Sequence, residues 1–197
     1  MTPAASGSGF VSSWVLWTVG FISFPVAGVV GLLFVERVDS PLAALVGGAA
    51  TGAVIGAGQW LVSRRRLRLL PWVAATAVGM SLGLLLGATV VSFGTSLIDL
   101  AVMGALTGAV LGVSQALALP ARAPRRWWWA AAMPILWGLG WVVSTSIGIA
   151  VEEQFSIFGA SGAVTFSALS GLLLAWILPT ERPRTAVAPA VDVSGVA

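Results

Sequence analysis

The sequence predicts an all-α membrane protein of six transmembrane helices, built as three tandem helical hairpins with both termini on the cytoplasmic side (N-in/C-in). Its composition is the first sign: 58% of the 197 residues are hydrophobic and only 9% charged, with a mean hydropathy of +0.99. Soluble domains carry roughly 25% charged residues. The second sign is that apolar runs of bilayer-spanning length occur six times. The third is a [Ser/Thr]-Gly-Ala-Val tetrad that recurs three times, at offsets of 56 and 54 residues.

The apolar runs cover residues 11–35, 42–62, 71–91, 98–119, 127–151 and 157–178. Each is long enough for a hydrocarbon core of ~30 Å. Each must be helical, because lipid offers a backbone amide no other partner. Barrel strands would be about half as long and would alternate. Pro25 in the first run and Pro134 in the fifth remove amide donors and should kink their helices. The second run carries Gly48, Gly52 and Gly56, the third Gly79, Gly83 and Gly87, and the fourth Gly104, Gly108 and Gly112. Stripes of small residues let two backbones approach closely, which drives helix association in lipid. Their simplest role is as seams inside the bundle; a partner subunit or a flat lipid is the other occupant. Gln59 and Gln115 follow the first glycine of their stripes by eleven residues, about 20° off the same face. Together with Thr51 and Thr107 they are read as interhelical polar contacts. Asp99 opens the fourth span, where a carboxylate caps orphan amides. In the fifth, a proline kink, two indoles and a hydroxyl run make Pro134, Trp137, Trp141, Ser144 and Glu152 the candidate lining of a cavity. Thr165, Ser167 and Ser170 of the sixth most simply bond the carbonyl one turn back.

These spans define a transmembrane domain over 10–178, with repeats at about 10–66, 67–122 and 123–178, between a disordered N-terminus (1–9) and a disordered cytoplasmic tail (179–197). The first run is too long, and lacks leading arginines, for a cleaved signal peptide. Nine of the ten arginines, including Arg64, Arg65, Arg66, Arg68, Arg122, Arg125 and Arg126, fall on one side of this topology. The positive-inside bias makes that side cytoplasmic and the location the inner membrane. Anionic lipid headgroups are the natural partners of these seven arginines, at ~1 kcal/mol each. Eight of the ten tryptophans fall at the same ends of the spans, as an interfacial collar does.

The repeat extends beyond the tetrad. Gly48, Gly52, Gly56 and Gln59 align with Gly104, Gly108, Gly112 and Gln115, while Trp17, Trp72 and Trp128 open alternate spans at spacings of 55 and 56. A period this long marks one supersecondary module stacked on itself. The third copy is degraded, with Phe166 for the last glycine and Leu169 for the glutamine. Thr51 through Arg66 resembles the [ST]-G-A-[VI]-x-G-x-x-Q-W-L-V-plus-basic pattern of an uncharacterised family of Gly/Trp-rich bacterial multi-pass membrane proteins. The resemblance implies a fold type and no activity.

Chemistry is narrowed by what is missing. There is no Cys, His, Lys or Tyr, so thiolate, imidazole and Schiff-base catalysis have no carrier, and Cys/His metal or haem ligation has none either. No catalytic residue, metal ligand or cofactor is expected, and no nucleotide or nucleic-acid motif occurs. The expectation is a non-enzymatic scaffold or accessory subunit of a membrane complex, packed through its glycine seams against a membrane-protein partner or a second copy. The alternative is a small-molecule uptake component. In size and layout the chain looks like the substrate-capturing subunits of energy-coupling-factor vitamin transporters, which implies an outward cavity beside the fifth helix.

Overall fold

In the computed structural model, which describes residues 6–121, 123, 125–148 and 155–178, the chain is helical and no strand occurs among the described residues. Helices α1 (Ser6–Val19) and α2 (Ser23–Phe34) are joined by a 3₁₀ turn, Gly20–Ile22. Pro25 is the reason, since it offers no amide to the turn before it. The chain tightens there, and the Ser23 hydroxyl donates to the Gly20 carbonyl at 2.8 Å. The interruption expected of Pro25 is therefore a 3₁₀ turn. Helix α1 begins at Ser6, within the terminal segment expected to be disordered, and residues 1–5 and 179–197 lie outside the described residues.

Helix α3 (Pro41–Val62) starts on a Ser40 N-cap with proline at its first position, and α4 (Leu69–Val90) follows a short arginine loop. Helix α5 (Leu97–Ala118) opens with a capping box: the Asp99 amide donates to the Ser96 hydroxyl (3.2 Å) and the Ser96 amide to Asp99 (3.3 Å). The capping role expected of Asp99 is thus the observed one. Helix α6 (Arg126–Ser146) passes through Pro134 unbroken. It stops short of the expected residue 151 because Gly148 takes a left-handed φ of +81°, the usual way a helix ends. Helix α7 (Ala160–Ile177) begins later than expected, because Ser156, Ile157 and Phe158 are spent as buried, non-helical residues before it.

Consecutive helices pack side by side, and α7 returns to α1, closing a ring of six rods. Five of these rods, with α1 and α2 taken as one, are long and apolar enough to cross a membrane. Helix α6, with 21 residues, spans about 31 Å, but its five tryptophans lower its average hydropathy. The ring is apolar on the outside: Leu33, Leu42, Leu61, Leu70, Ile98 and Ile135 are each at least 70% exposed. Its polar side chains lie inside, among them Thr51, Gln59, Thr76, Thr107, Gln115, Ser144 and Ser170. A hydrocarbon surround rewards that inversion and water does not.

The glycine stripes face neighbouring helices of the same chain. A Cβ on Gly52 would stand 2.7 Å from the Thr76 carbonyl of α4, one on Gly83 2.8 Å from the Thr107 carbonyl of α5, and one on Gly112 3.0 Å from the Ala130 carbonyl of α6. Pro134 deprives the Ala130 carbonyl of its i+4 amide, and the glycine at position 112 leaves clear the space beside that oxygen that a Cβ would crowd. Neighbouring helices of the chain thus occupy these stripes, as their simplest reading as seams inside the bundle expects, and the alternative occupant, a partner subunit or a flat lipid, has no open stripe there.

Candidate functional site

Near the arginine-bearing end, three indoles turn inward; two share one polar network and the third has a hydrogen bond of its own. Trp72 of α4 donates to the amide oxygen of Gln59 on α3 (3.1 Å), and Trp129 of α6 donates to that of Gln115 on α5 (2.9 Å). The Gln115 amide nitrogen donates to Gln59 (3.3 Å) and to the Thr76 hydroxyl (3.0 Å), which donates onward to the Trp72 carbonyl (2.8 Å). Trp17 of α1 donates to the Ser170 hydroxyl of α7 at 3.1 Å. The rings meet edge-on, Trp17–Trp129 at 6.3 Å and Trp72–Trp129 at 5.9 Å between centroids. Every group is buried, so each bond replaces one that neither water nor lipid would supply.

Sequence spacing put Trp128 in this set, but the buried indole is Trp129; Trp128 is 62% exposed. One residue turns a helical side chain by about 100°, so a one-residue difference in the loop selects a different indole. The collar is corrected in the same way. Trp127, Trp128 and Trp176 are exposed, whereas Trp17, Trp72 and Trp129 belong to the interior. Gln59 and Gln115 occupy interhelical positions, whereas Thr51 bonds the Gly47 carbonyl of its own helix (2.7 Å), and the buried Thr107 hydroxyl has no partner. Sequence reasoning missed Thr76, and it gave Ser170 only a bond within its own helix (found to Ser167 at 3.4 Å), not the role of acceptor for Trp17. The indole–serine pair was legible only as a weak hint, a hydroxyl beside Leu169 where the glutamine was lost.

The arginines divide by role. Arg66 donates to the Leu178 carbonyl (2.9 Å) and Arg125 lies over the Trp176 ring (4.5 Å), so two loops clamp the last turn of α7. Cations there also offset the helix dipole. Burial, and secondly Arg64, push the Arg66 guanidinium below its ordinary pKa. Arg126 lies over Trp127 at 5.5 Å. Arg64, Arg65 and Arg68 are exposed, and Arg122 falls outside the described residues.

The expected cavity beside α6 is filled. Phe158, from the segment preceding α7, inserts against Trp137 (5.0 Å), Phe24 (5.4 Å) and Trp141 (5.9 Å), and Phe166 closes on Trp137 from α7 (5.0 Å). Trp137 and Trp141 are 1% exposed. Ser144 is buried and donates to the Gly159 carbonyl at 3.4 Å. Pro134 is half-buried, and Glu152 lies outside the described residues. The sequence could not show that the connection into α7 would supply a plug. An open groove of about 400 Å³ lies at the opposite end, beside Phe34, Glu36, Arg37, Asp39 and Leu42, on the outside of the ring.

Apolar rods of bilayer length, an aliphatic exterior and a hydrogen-bonded interior are the features of a multi-pass helical membrane protein. Comparison with protein-family models, with curated proteins and with solved structures finds no match to this chain.

Proposed function

We propose that the chain is a six-span inner-membrane protein of bacterial type, N-in/C-in, that serves as a non-enzymatic scaffold or accessory subunit of a membrane complex. The observation that carries this reading is the saturation of the interior. Glycine seams, indole–amide bonds and the Phe158 plug use up the internal surface, leaving the outer wall and the two ends for interaction. The pairing pattern also supports three hairpins in cyclic order. Trp72 and Trp129 each open a hairpin and bond the second helix of the hairpin before, and Trp17 of the first hairpin bonds the last. Helix α6 counts as the remaining span on its length, because indoles tolerate the bilayer boundary. The uptake alternative loses support with its cavity. Mass spectrometry of the chain in native lipid particles tests the scaffold reading. A defined assembly with a partner or a second copy is expected, and a lone monomer overturns it.

A further inference from the structure

We propose that the open groove on the outside of the ring, where α2 turns into α3, binds one phospholipid whose headgroup ends in a primary ammonium. The ammonium meets Glu36 and Asp39, the phosphate meets Arg37, and one acyl chain lies over Phe34, Leu42 and Val46. These six residues are among those lining the groove, which holds about 400 Å³. Small-molecule sites occupy roughly 300–1,000 Å³, so there is room for a headgroup and the top of a chain.

The groove changes character along its length, as a bilayer boundary does. Glu36, Arg37 and Asp39 stand in the short connection between α2 and α3, and all three are exposed. Phe34 ends α2, while Leu42 and Val46 lie one turn apart on α3 and lead away from the connection along one face. Phe34 and Leu42 are exposed on the wall that meets hydrocarbon. The charge pattern then selects the headgroup. The chain has no lysine or histidine, and every other described arginine lies at the opposite end. Two carboxylates therefore share the groove with one guanidinium, an excess that disfavours an anionic headgroup and accepts a cation beside a phosphate. The helix ends match the same pattern. The carboxyl end of α2 and the amino end of α3 both border the groove, and their dipoles present negative and positive charge respectively. A zwitterion satisfies both. A primary ammonium also donates charge-assisted hydrogen bonds to carboxylates, whereas a trimethylammonium has no N–H to donate.

This inference rests on the reading of the chain as a membrane protein whose outer wall faces lipid. Its test uses the delipidated full chain in neutral detergent, followed by native mass spectrometry. The chain is titrated with phosphatidylethanolamine, phosphatidylcholine or phosphatidylglycerol of one acyl composition. The first phosphatidylethanolamine should bind about fivefold tighter than either of the other lipids. Glu36→Gln combined with Asp39→Asn should bring phosphatidylethanolamine and phosphatidylcholine to within about twofold of each other. Arg37→Gln should weaken both by about fivefold and preserve the preference, because both lipids carry the phosphate. Glu36→Asp, which keeps the charge, should keep the preference too. Equal binding of phosphatidylethanolamine and phosphatidylcholine by the unaltered chain would overturn the site. So would an unchanged preference in the carboxylate double variant, which would place the lipid elsewhere. Tighter binding of phosphatidylglycerol would give the groove to an anionic lipid, and displacement by millimolar phosphoethanolamine would give it to a soluble zwitterion; either result overturns the proposal. Orientation is measured separately by labelling in cells, so failure in detergent leaves the membrane reading standing.

Discussion

Gln115 is bonded through both ends of its amide, accepting from Trp129 and donating to Gln59 and Thr76. Gln115→Leu should cost about 2 kcal/mol, because it strands a buried indole N–H and removes a donor from Thr76. Trp129→Phe should cost a similar amount, and the double variant clearly less than the sum, measured as thermal unfolding in lipid nanodiscs. Strict additivity would mean that the bond contributes nothing. Phe158→Ala tests the other internal contact. Removing that ring leaves a hole among Phe24, Trp137, Trp141 and Phe166. A loss on the order of 3–5 kcal/mol is expected if the surround does not collapse. At this scale the sequence was half informative. Gln59 and Gln115 could be placed on a seam from helical geometry, but Trp129 could not be chosen over Trp128 without the loop that sets its rotation.

Helix pairs are set by how near two backbones come, so glycine substitutions separate packing from mere composition. At Gly83 an added Cβ meets the Thr107 carbonyl at 2.8 Å and the Thr107 Cα at 2.9 Å, which are backbone atoms that move only with α5. Gly83→Ala should therefore destabilise by about 1–3 kcal/mol. Gly28, whose nearest neighbour would be the Ile157 methyl at 3.5 Å, should accept alanine with little change. Equal effects in unfolding titrations would show that the stripes are incidental. Helix starts came within a residue at α3, where the apolar run begins at 42, and at α5, where Asp99 marked the cap; the Ser40 and Ser96 N-caps themselves emerged only in the structure. Helix limits were misjudged at α6 and α7. There hydropathy alone continued through Gly148 and began at Ile157, whereas a left-handed glycine and three buried residues decide the ends.

For the whole molecule, orientation is the property most directly measurable, because the chain contains no cysteine. Introduced singly, Arg65→Cys should be shielded from an impermeant maleimide in intact cells, and Asp39→Cys should be labelled. The reverse pattern would invert the positive-inside assignment. Ring closure has its own test. Ser170→Ala removes the acceptor of Trp17 on the seam between the first and last helices. It should lower the unfolding free energy by about 1 kcal/mol and raise proteolysis near α1 ahead of α4 and α5.

The sequence alone determined the class of the molecule, an all-helical chain with apolar rods of bilayer length. Hydrophobic length and arginine placement are one-dimensional quantities, and a bilayer reads them one span at a time. The repeat is likewise visible as an offset. What only the tertiary structure decided is which surfaces the chain spends on itself. A glycine stripe looks the same whether it meets its own neighbour or a stranger, and a kinked, hydroxyl-bearing helix looks the same around a cavity or around a phenylalanine. Both depend on side chains distant in sequence arriving in one place. Thus Phe158 fills the space kept for a ligand, and Ser170 answers Trp17 across 153 residues.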